Sequence, residues 1–343
     1  LGDERCSFSS PLTGGYNGLI IFAAAATGLG LGLPVEQIRT GLARVGRVPG
    51  RLERVTLADG AGAAGPAVFV DYAHTPDALE NVLLSLRPLA TGRLICVFGC
   101  GGDRDRGKRP LMGAIAARWA DVAIVTSDNP RTEDPETIVA AVAEGAASTG
   151  RQLGEVAALL TAEPPLDGYA VLTDRRQAIV AACSLARPED TVLIAGKGHE
   201  DYQILGTEKH FFDDRLEAAN ALACWNARHL LAATGGRVVS GRQNRVFRRI
   251  STDTRTIEPG DVFVALRGEQ FDGHSYIDRA VRAGAGAVLV ERLPEGLPPE
   301  VLTIEVDDTL QALGALAAYR RRLFAPRLQV AAITGSSGNT TVE

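Results

Sequence analysis

Apolar residues in this chain gather in short unbroken runs, separated by stretches in which they recur every three or four positions. Leu94-Ile95-Cys96-Val97-Phe98 and Val122-Ala123-Ile124-Val125-Thr126 show no polar alternation, and each predicts a strand. Each empties into a loop dense in glycine, charge or Asn-Pro: Gly99 to Lys108-Arg109 after the first, Asp128-Asn129-Pro130-Arg131 after the second. Between them Pro110 opens a helical run to Trp119, with proline expected at the first helical position, where its missing N–H costs nothing. That is a strand, helix, strand unit. Ligands of open parallel sheets bind beyond the carboxyl ends of the strands, so the two loops are expected to face one ligand.

The same alternation continues from Arg47 to about Leu222. Strands are expected at Ala67–Val70, Tyr169–Leu172 and Thr191–Ala195, and helices at Pro76–Leu86, Pro135–Ala147, Arg175–Ala186 and Arg215–Cys224. This predicts a mainly parallel sheet with helices on both faces. Ahead of it, residues 1–45 give a strand-like Cys6–Pro11, a glycine turn at Gly14-Gly15 and helical patterns at Tyr16–Leu29 and Pro34–Val45, too little for a domain. After Trp225 come a helix at Ala227–Ala233, strands at Ile250–Thr252, Val262–Ala265, Ala287–Val290 and Leu302–Val306, and helices at Ser275–Ala283 and Thr309–Leu323. The predicted fold class is therefore α/β: a Rossmann-like, mainly parallel sheet domain over 46–222, then a smaller α/β domain over 223–326. A strand at Gln329–Ile333 and the loop Gly335-Ser336-Ser337-Gly338-Asn339-Thr340-Thr341 begin another over 327–343.

The 343 residues suit two or three domains of ordinary globular composition, 45% hydrophobic and 22% charged. A net charge of -5 argues against broad nucleic-acid or membrane-surface binding and points to a small anion held by local basic loops. Five cysteines, at 6, 96, 100, 183 and 224, have no CxxC spacing and fit a reducing cytoplasm. Gly18–Leu33 is short for a membrane span and interrupted by Gly28, Gly30 and Gly32, so it is expected to be a buried helix. The opening Leu1-Gly2-Asp3-Glu4-Arg5 is not a signal peptide, and the single methionine, Met112, lies inside a predicted helix; the chain is expected to be an excerpt of a longer one.

Four strand ends carry candidate chemistry. Gly99–Gly102 is expected to supply positive φ, with Arg104, Arg106, Lys108 and Arg109 available for carboxylate or phosphate; the plain alternative is a solvated turn. Asp128-Asn129-Pro130-Arg131 reads equally as an Asx-type turn. Gly196-Lys197-Gly198-His199-Glu200 again brings glycine, a cation and a carboxylate to the edge, with Glu200 suited to a substrate ammonium or the whole to a βα bend. In Asp71-Tyr72-Ala73-His74-Thr75-Pro76, capping explains Thr75 and Pro76 but not His74, which is either a local hydrogen-bonder or a ligand contact. The loop after Gln329–Ile333 has phosphate-loop spacing with Asn339 where a lysine would neutralise phosphate.

Together these motifs resemble the Mur ligases of peptidoglycan synthesis over nearly the whole chain. Residues 1–222 resemble the C-terminal half of the MurE branch, which adds the third amino acid to UDP-MurNAc-L-Ala-D-Glu, with 1–45 a remnant of its central ATPase domain. The carriers are Pro49-Gly50-Arg51, Asp71 to Asp77, Gly101-Gly102-Asp103-Arg104, Asp128-Asn129-Pro130-Arg131 and Gly196 to Glu200. The resemblance implies selection of meso-diaminopimelate over lysine, with Arg104, Asp128, Asn129, Arg131, Gly196 and Glu200 around the amino acid. It places Asn17, Arg51, Asp71 and His74 on the ATP side. Residues 225–325 resemble the N-terminal domain of the MurF branch, which adds D-Ala-D-Ala to the tripeptide, through Ser251 to Arg255, Gly260 to Ala265 and Arg267 to His274. This implies UDP binding by Thr252, Asp253, Thr254, Arg255, Asp272, Gly273 and His274. It also implies ATP binding by Gly335, Gly338, Asn339 and Thr340, with Thr340 on Mg2+. In two places the chain departs from the family pattern, at Ile20 of Asn17-Gly18-Leu19-Ile20 and at Asn339.

The implied activity is ATP-dependent, Mg2+-assisted amide bond formation through an acyl phosphate and a tetrahedral intermediate. The implied substrates are UDP-MurNAc-peptide, meso-diaminopimelate and D-Ala-D-Ala, with no nucleic acid and no membrane insertion. No catalytic set is complete within the chain, which is expected to be inactive alone. Two other readings remain, a non-catalytic binding or scaffold protein and a folylpolyglutamate- or cyanophycin-type ligase.

Overall fold

The computed structural model describes residues 7–10, 12, 15–46, 48–55, 66–162, 165–268 and 271–324, which divide into two units. The first is built from 7–55, 66–226 and 243–246, the second from 227–242 and 247–324. The strand expected at Cys6–Pro11 is not formed where it is described: residues 7–10 have no regular structure. The loop at Gly335–Thr341 and its strand, with Gly335, Gly338, Asn339 and Thr340, lie outside the described residues.

In chain order the first unit contains α1 (Gly15–Gly30), α2 (Val35–Arg44), β1 (Glu53–Val55), β2 (Ala67–Asp71), α3 (Pro76–Leu86), β3 (Leu94–Cys100), α4 (Lys108–Trp119) and β4 (Val122–Ser127). There follow α5 (Pro135–Ala147), α6 (Val156–Thr161), β5 (Gly168–Val171), α7 (Arg175–Leu185), β6 (Thr191–Ala195), β7 (Tyr202–Leu205), β8 (Glu208–Phe211) and α8 (Asp214–Leu222). Six strands form one sheet in the order β1-β2-β6-β3-β4-β5, parallel except for the edge strand β1. Successive side chains of a strand point to opposite faces. Leu94, Cys96 and Phe98 therefore pack with Leu83 of α3, Met112 of α4 and Val142 of α5, while Ile95 and Val97 pack with Leu160 of α6, Ile179 of α7 and Ala218 of α8. Fully burying a side chain such as Phe98 contributes about 1.5–3 kcal/mol, which is why these runs carry no polar residue.

Helix starts follow local chemistry. The Thr75 hydroxyl accepts from the Ala78 N–H, the Asp134 carboxylate from Glu136 and Thr137, and the Asp174 carboxylate from Gln177. Helix α4 departs from expectation by starting at Lys108, which places Pro110 third rather than first. The first four N–H groups of a helix have no intrahelical acceptor, so proline is tolerated there as well. Helix α1 departs further: Leu19, Ile20 and Phe22 are exposed rather than buried. A helix apolar all round needs cover on every side, and α2, which meets it through Ala25, Ile38 and Leu42, is only 10 residues long.

In the second unit the strands Arg237–Ser240, Leu302–Glu305, Ala287–Val290, Val262–Val264 and Ile250–Ser251 form a sheet in that order, parallel except for the first. Its helices are α9 (Ala227–Thr234), α10 (Ile277–Arg282) and α11 (Thr309–Phe324). Among the described residues no helix is long and apolar enough to cross a membrane.

Candidate functional site

Strand register sets the site of the first unit. Asp71 of β2 lies opposite Ala195 of β6, and Cys100 of β3 opposite Ser127 of β4, so four neighbouring strands release their loops at one edge. The loops then lock together. The Arg131 Nη1 donates to the Gly102 carbonyl at 2.7 Å and the Gly102 N–H to the Asn129 carbonyl at 2.9 Å. A Cβ at Gly102 would stand 1.9 Å from the Pro130 oxygen, and one at Gly99 2.3 Å from the Thr126 oxygen. These glycines serve close approach, not the positive φ expected of them; it is Asp103 that takes φ 52, its carboxylate held by Thr132.

The expected residues meet around Gly101 and Glu200. A Cβ at Gly101 would lie 3.0 Å from Arg131 Nη1 and 3.9 Å from Arg104 Cγ, so both arginines flank that position. Asn129 Nδ2 donates to Glu200 Oε2 and Tyr72 Oη to Glu200 Oε1, each at 3.4 Å. Burial, then the Glu200 charge, raises the Tyr72 phenol and keeps it a neutral donor. Gly196 takes φ 125, and a Cβ there would stand 3.7 Å from Asp128 Oδ2. Opposite, Gly50 and Gly198 allow two loops to touch: a Cβ on Gly50 would stand 2.1 Å from the His199 nitrogen.

The basic residues after β3 divide. Arg109 is buried and donates to Glu133 Oε1 at 2.8 Å, Arg106 pairs with Glu133 Oε2 at 3.1 Å, and Lys108 donates to the His74 carbonyl at 2.7 Å. Hydrogen bonds from Arg109 and the Asp103 N–H push the Glu133 carboxyl down to about 2. These three cations are spent on the fold. Arg104 is exposed, with its guanidinium donating to the Asp103 carbonyl. Lys197, expected as an edge cation, is 0% exposed and turned inward. Burial pushes its ammonium below the ordinary lysine range; burial also opposes the Asp128 charge, but Lys197 and Arg175 outweigh it and hold that carboxyl below its usual value.

His74 bonds locally, through Nδ1 to the Tyr72 carbonyl at 2.9 Å, and Asp71 accepts from the N–H groups of Leu52 and Ala73 rather than pairing with it. The Arg51 guanidinium stacks 5.1 Å from the Tyr72 ring centre. Arg51 and Asp71 also line a cavity of about 540 Å³ with Gly15, Leu19, Ala78 and Asn81, while Asn17 is buried in α1.

Arg175 and Asp214, which sequence reasoning did not single out, form a fully buried ion pair at 2.6 Å, and Arg175 also donates to the Ala195 carbonyl at 3.1 Å. The usable signal was an arginine directly after the capping Asp174 of a strand end. The β7–β8 hairpin was missed too, yet it brackets Arg131: the Arg131 N–H donates to the Ile204 carbonyl and the Gly206 N–H to the Arg131 carbonyl.

In the second unit Arg255 pairs with Asp253 at 2.6 Å in the loop holding Thr252 and Thr254. Asp272 caps the short helix Gly273–Tyr276, accepts from His274 Nδ1 at 2.7 Å and pairs with Arg292. The Glu291 N–H donates to His274 Nε2 at 2.9 Å, so Nε2 accepts and Nδ1 is the ring nitrogen turned to Asp272. Glu291 in turn accepts from the Thr309 N–H and hydroxyl, each at 2.8 Å.

Residues 50–198 match the Mur ligase glutamate ligase domain, and residues 246–321 match the Mur ligase family catalytic domain. Both matched segments are Mur ligase family segments. Over 214 residues it is 54% identical to the UDP-N-acetylmuramoyl-L-alanyl-D-glutamate--2,6-diaminopimelate ligase of Geobacter metallireducens, covering 62% of this chain and 41% of that one. The chain thus spans about two fifths of the length of such curated relatives. A solved UDP-N-acetylmuramoyl-L-alanyl-D-glutamate--2,6-diaminopimelate ligase is similar at 38% identity over 63% of this chain and 40% of that one, with TM-score 0.46. MurF from Acinetobacter baumannii is similar at 38% identity over 29% of this chain and 21% of that one, with TM-score 0.26.

Proposed function

We propose that the first unit is the amino-acid-accepting part of an ATP-dependent amide ligase that joins meso-diaminopimelate to UDP-MurNAc-L-Ala-D-Glu. One observation carries this: Arg104 and Arg131 flank Gly101 while Asn129 and Glu200 bond each other at the same strand edge. Meso-diaminopimelate has two carboxylates and two ammonium groups. Glu200 offers the charge an ammonium needs, and the arginines offer forks for a second carboxylate, which lysine lacks. The 54% identity to a 2,6-diaminopimelate ligase supports the same reading.

The cavity between α1 and α3 fits one end of ATP, with apolar Leu19, Ala78 and Val82 for a heterocycle, Asn81 and Ser85 as polar edges and Arg51 for phosphate. Asp71 accepts from the Leu52 and Ala73 N–H groups, one on each carboxylate oxygen, and so shapes the loop beside that cavity. When bound, ATP supplies activation of the acceptor carboxylate; this chain's residues bind and orient the incoming amino acid. No group of three or more His, Cys, Asp or Glu able to hold a metal is present among the described residues, and Thr340, the residue assigned to Mg2+, lies outside them.

In the same proposal the second unit serves a ligase of the D-Ala-D-Ala-adding type, receiving the UDP end of a UDP-MurNAc-peptide at Thr252–Arg255 and Asp272–His274. The match at 246–321, separate from that at 50–198, supports two family segments in one chain. The buried thiols of Cys96, Cys100 and Cys183, none in a disulfide among the described residues, fit the reducing, cytoplasmic setting of this proposal.

Calorimetry of the 343-residue chain tests the amino-acid assignment. Meso-diaminopimelate is expected to bind at least about tenfold more tightly than L-lysine, the scale of one charged hydrogen bond. Equal or tighter binding of lysine overturns it. For the second unit, UDP binding that survives in the wild type and is lost in Arg255→Ala supports the assignment, and an unchanged affinity removes it.

A further inference from the structure

We propose that Lys197 is a positioning residue whose buried ammonium clamps the loop after β4, the loop after β6 and the β7–β8 hairpin into one wall of the amino-acid site. The clamp is read from geometry; only the ligand's identity rests on the function proposed above. An ammonium has three N–H donors. Lys197 Nζ donates to Asn129 Oδ1 at 2.9 Å and to the Tyr202 carbonyl at 2.8 Å, and lies 3.1 Å from Asp128 Oδ1. Two acceptors and one carboxylate charge on two further segments thus converge on a side chain that emerges from a third. With 0% exposure it cannot reach a ligand.

The clamp fixes two ligand-facing groups. Asn129 Oδ1 accepts from both Lys197 and the Ile204 N–H at 3.0 Å, so the carboxamide cannot turn over, and its Nδ2 must face Glu200. The hairpin held through Tyr202 grips Arg131 on both sides of its peptide unit. Arg131 sits at φ 51, a left-handed conformation that a non-glycine residue keeps only when its surroundings impose it. Released from the hairpin, Arg131 would relax to negative φ and withdraw its guanidinium from the Gly102 carbonyl. Lys197 thereby sets both the donor offered by Asn129 and the aim of Arg131.

The test compares the full chain with Lys197→Met and with Lys197→Met/Asp128→Asn, which removes the carboxylate left unpaired by the first change. Amide hydrogen exchange at Arg131, Ile204 and Gly206 is expected to quicken more than about tenfold in both variants, while Ala67 and Gly168, at the far ends of their strands, stay within about twofold. Unchanged exchange at the three amides overturns the clamp. So does uniform acceleration in the single variant that the double variant reverses, because burial of charge would then explain everything. In calorimetry the preference for meso-diaminopimelate over lysine is expected to fall in both variants, a change that a purely structural role would not produce. Absence of diaminopimelate binding in the wild type would defeat the proposed function, while the exchange pattern would still decide the clamp.

Discussion

The two sheets share a plan, parallel strands with one antiparallel edge strand, but they fix the loops at their carboxyl ends in different ways. In the first unit charges are buried under the loops: Arg175 with Asp214 at 0% side-chain exposure each, and Lys197 with Asp128. In the second they are local and wet, as in Arg255 with Asp253, whose side chains are 77% and 37% exposed. A buried pair leaves a costly orphan when either partner is lost, whereas an exposed pair trades its bond for water. Stiff loops are therefore expected in the first unit and compliant ones in the second.

The strongest way to break this contrast is Arg175→Met, which strands Asp214 and should cost about 3–5 kcal/mol in urea unfolding, with Arg175→Met/Asp214→Leu regaining most of it. A loss below about 1 kcal/mol would show that the pair pins nothing. Gly102→Ala comes next. Its Cβ would collide with the Pro130 carbonyl, so an overpacking cost of about 1–3 kcal/mol is expected together with loss of diaminopimelate binding. In the second unit Glu291→Ala deprives Thr309 of its acceptor at the start of α11 and should cost about 1 kcal/mol, read as a lower urea midpoint.

Acid separates the regions more gently. The Glu133 carboxyl is lowered from 4.5 to about 2, so its stabilisation is complete above pH 4.5 and disappears as pH falls toward about 2. The stability gap between wild type and Glu133→Gln should close across that window; a gap independent of pH would discard the assignment. Asp253→Asn is expected to leave the urea midpoint where it is, and a clear drop would mean that the second unit's surface pairs are not compliant after all.

Most of the first unit's architecture could be read from the chain because each deep strand is an unbroken apolar run and each major helix opens on a capping residue such as Thr75, Asp134 or Asp174. The hairpin Tyr202–Leu205 with Glu208–Phe211 escaped because its residues are half-buried or exposed and carry no alternation for a period-two pattern to detect. Which loops converge at the strand ends was legible; which of their cations are buried was not. Lys197 looks like Arg104 in sequence, and only its depth shows that one is a strut and the other faces solvent. Arg175 and Asp214 are far apart along the chain, and no local pattern joins them.

The contact of Gly50 with Gly198 and His199 bears on how the molecule is made. It joins a turn ahead of the first parallel strand to a loop after the last, and such distant partners meet only once the intervening chain has been ordered. Maturation of the pocket is then a late event in folding, with protection at Gly102 and Arg131 in pulse-labelled exchange trailing that in β3 and β4. During that interval a nascent chain would hold β3 and β4 beside an open rim, exposed to proteases at the residues proposed to meet the ligand.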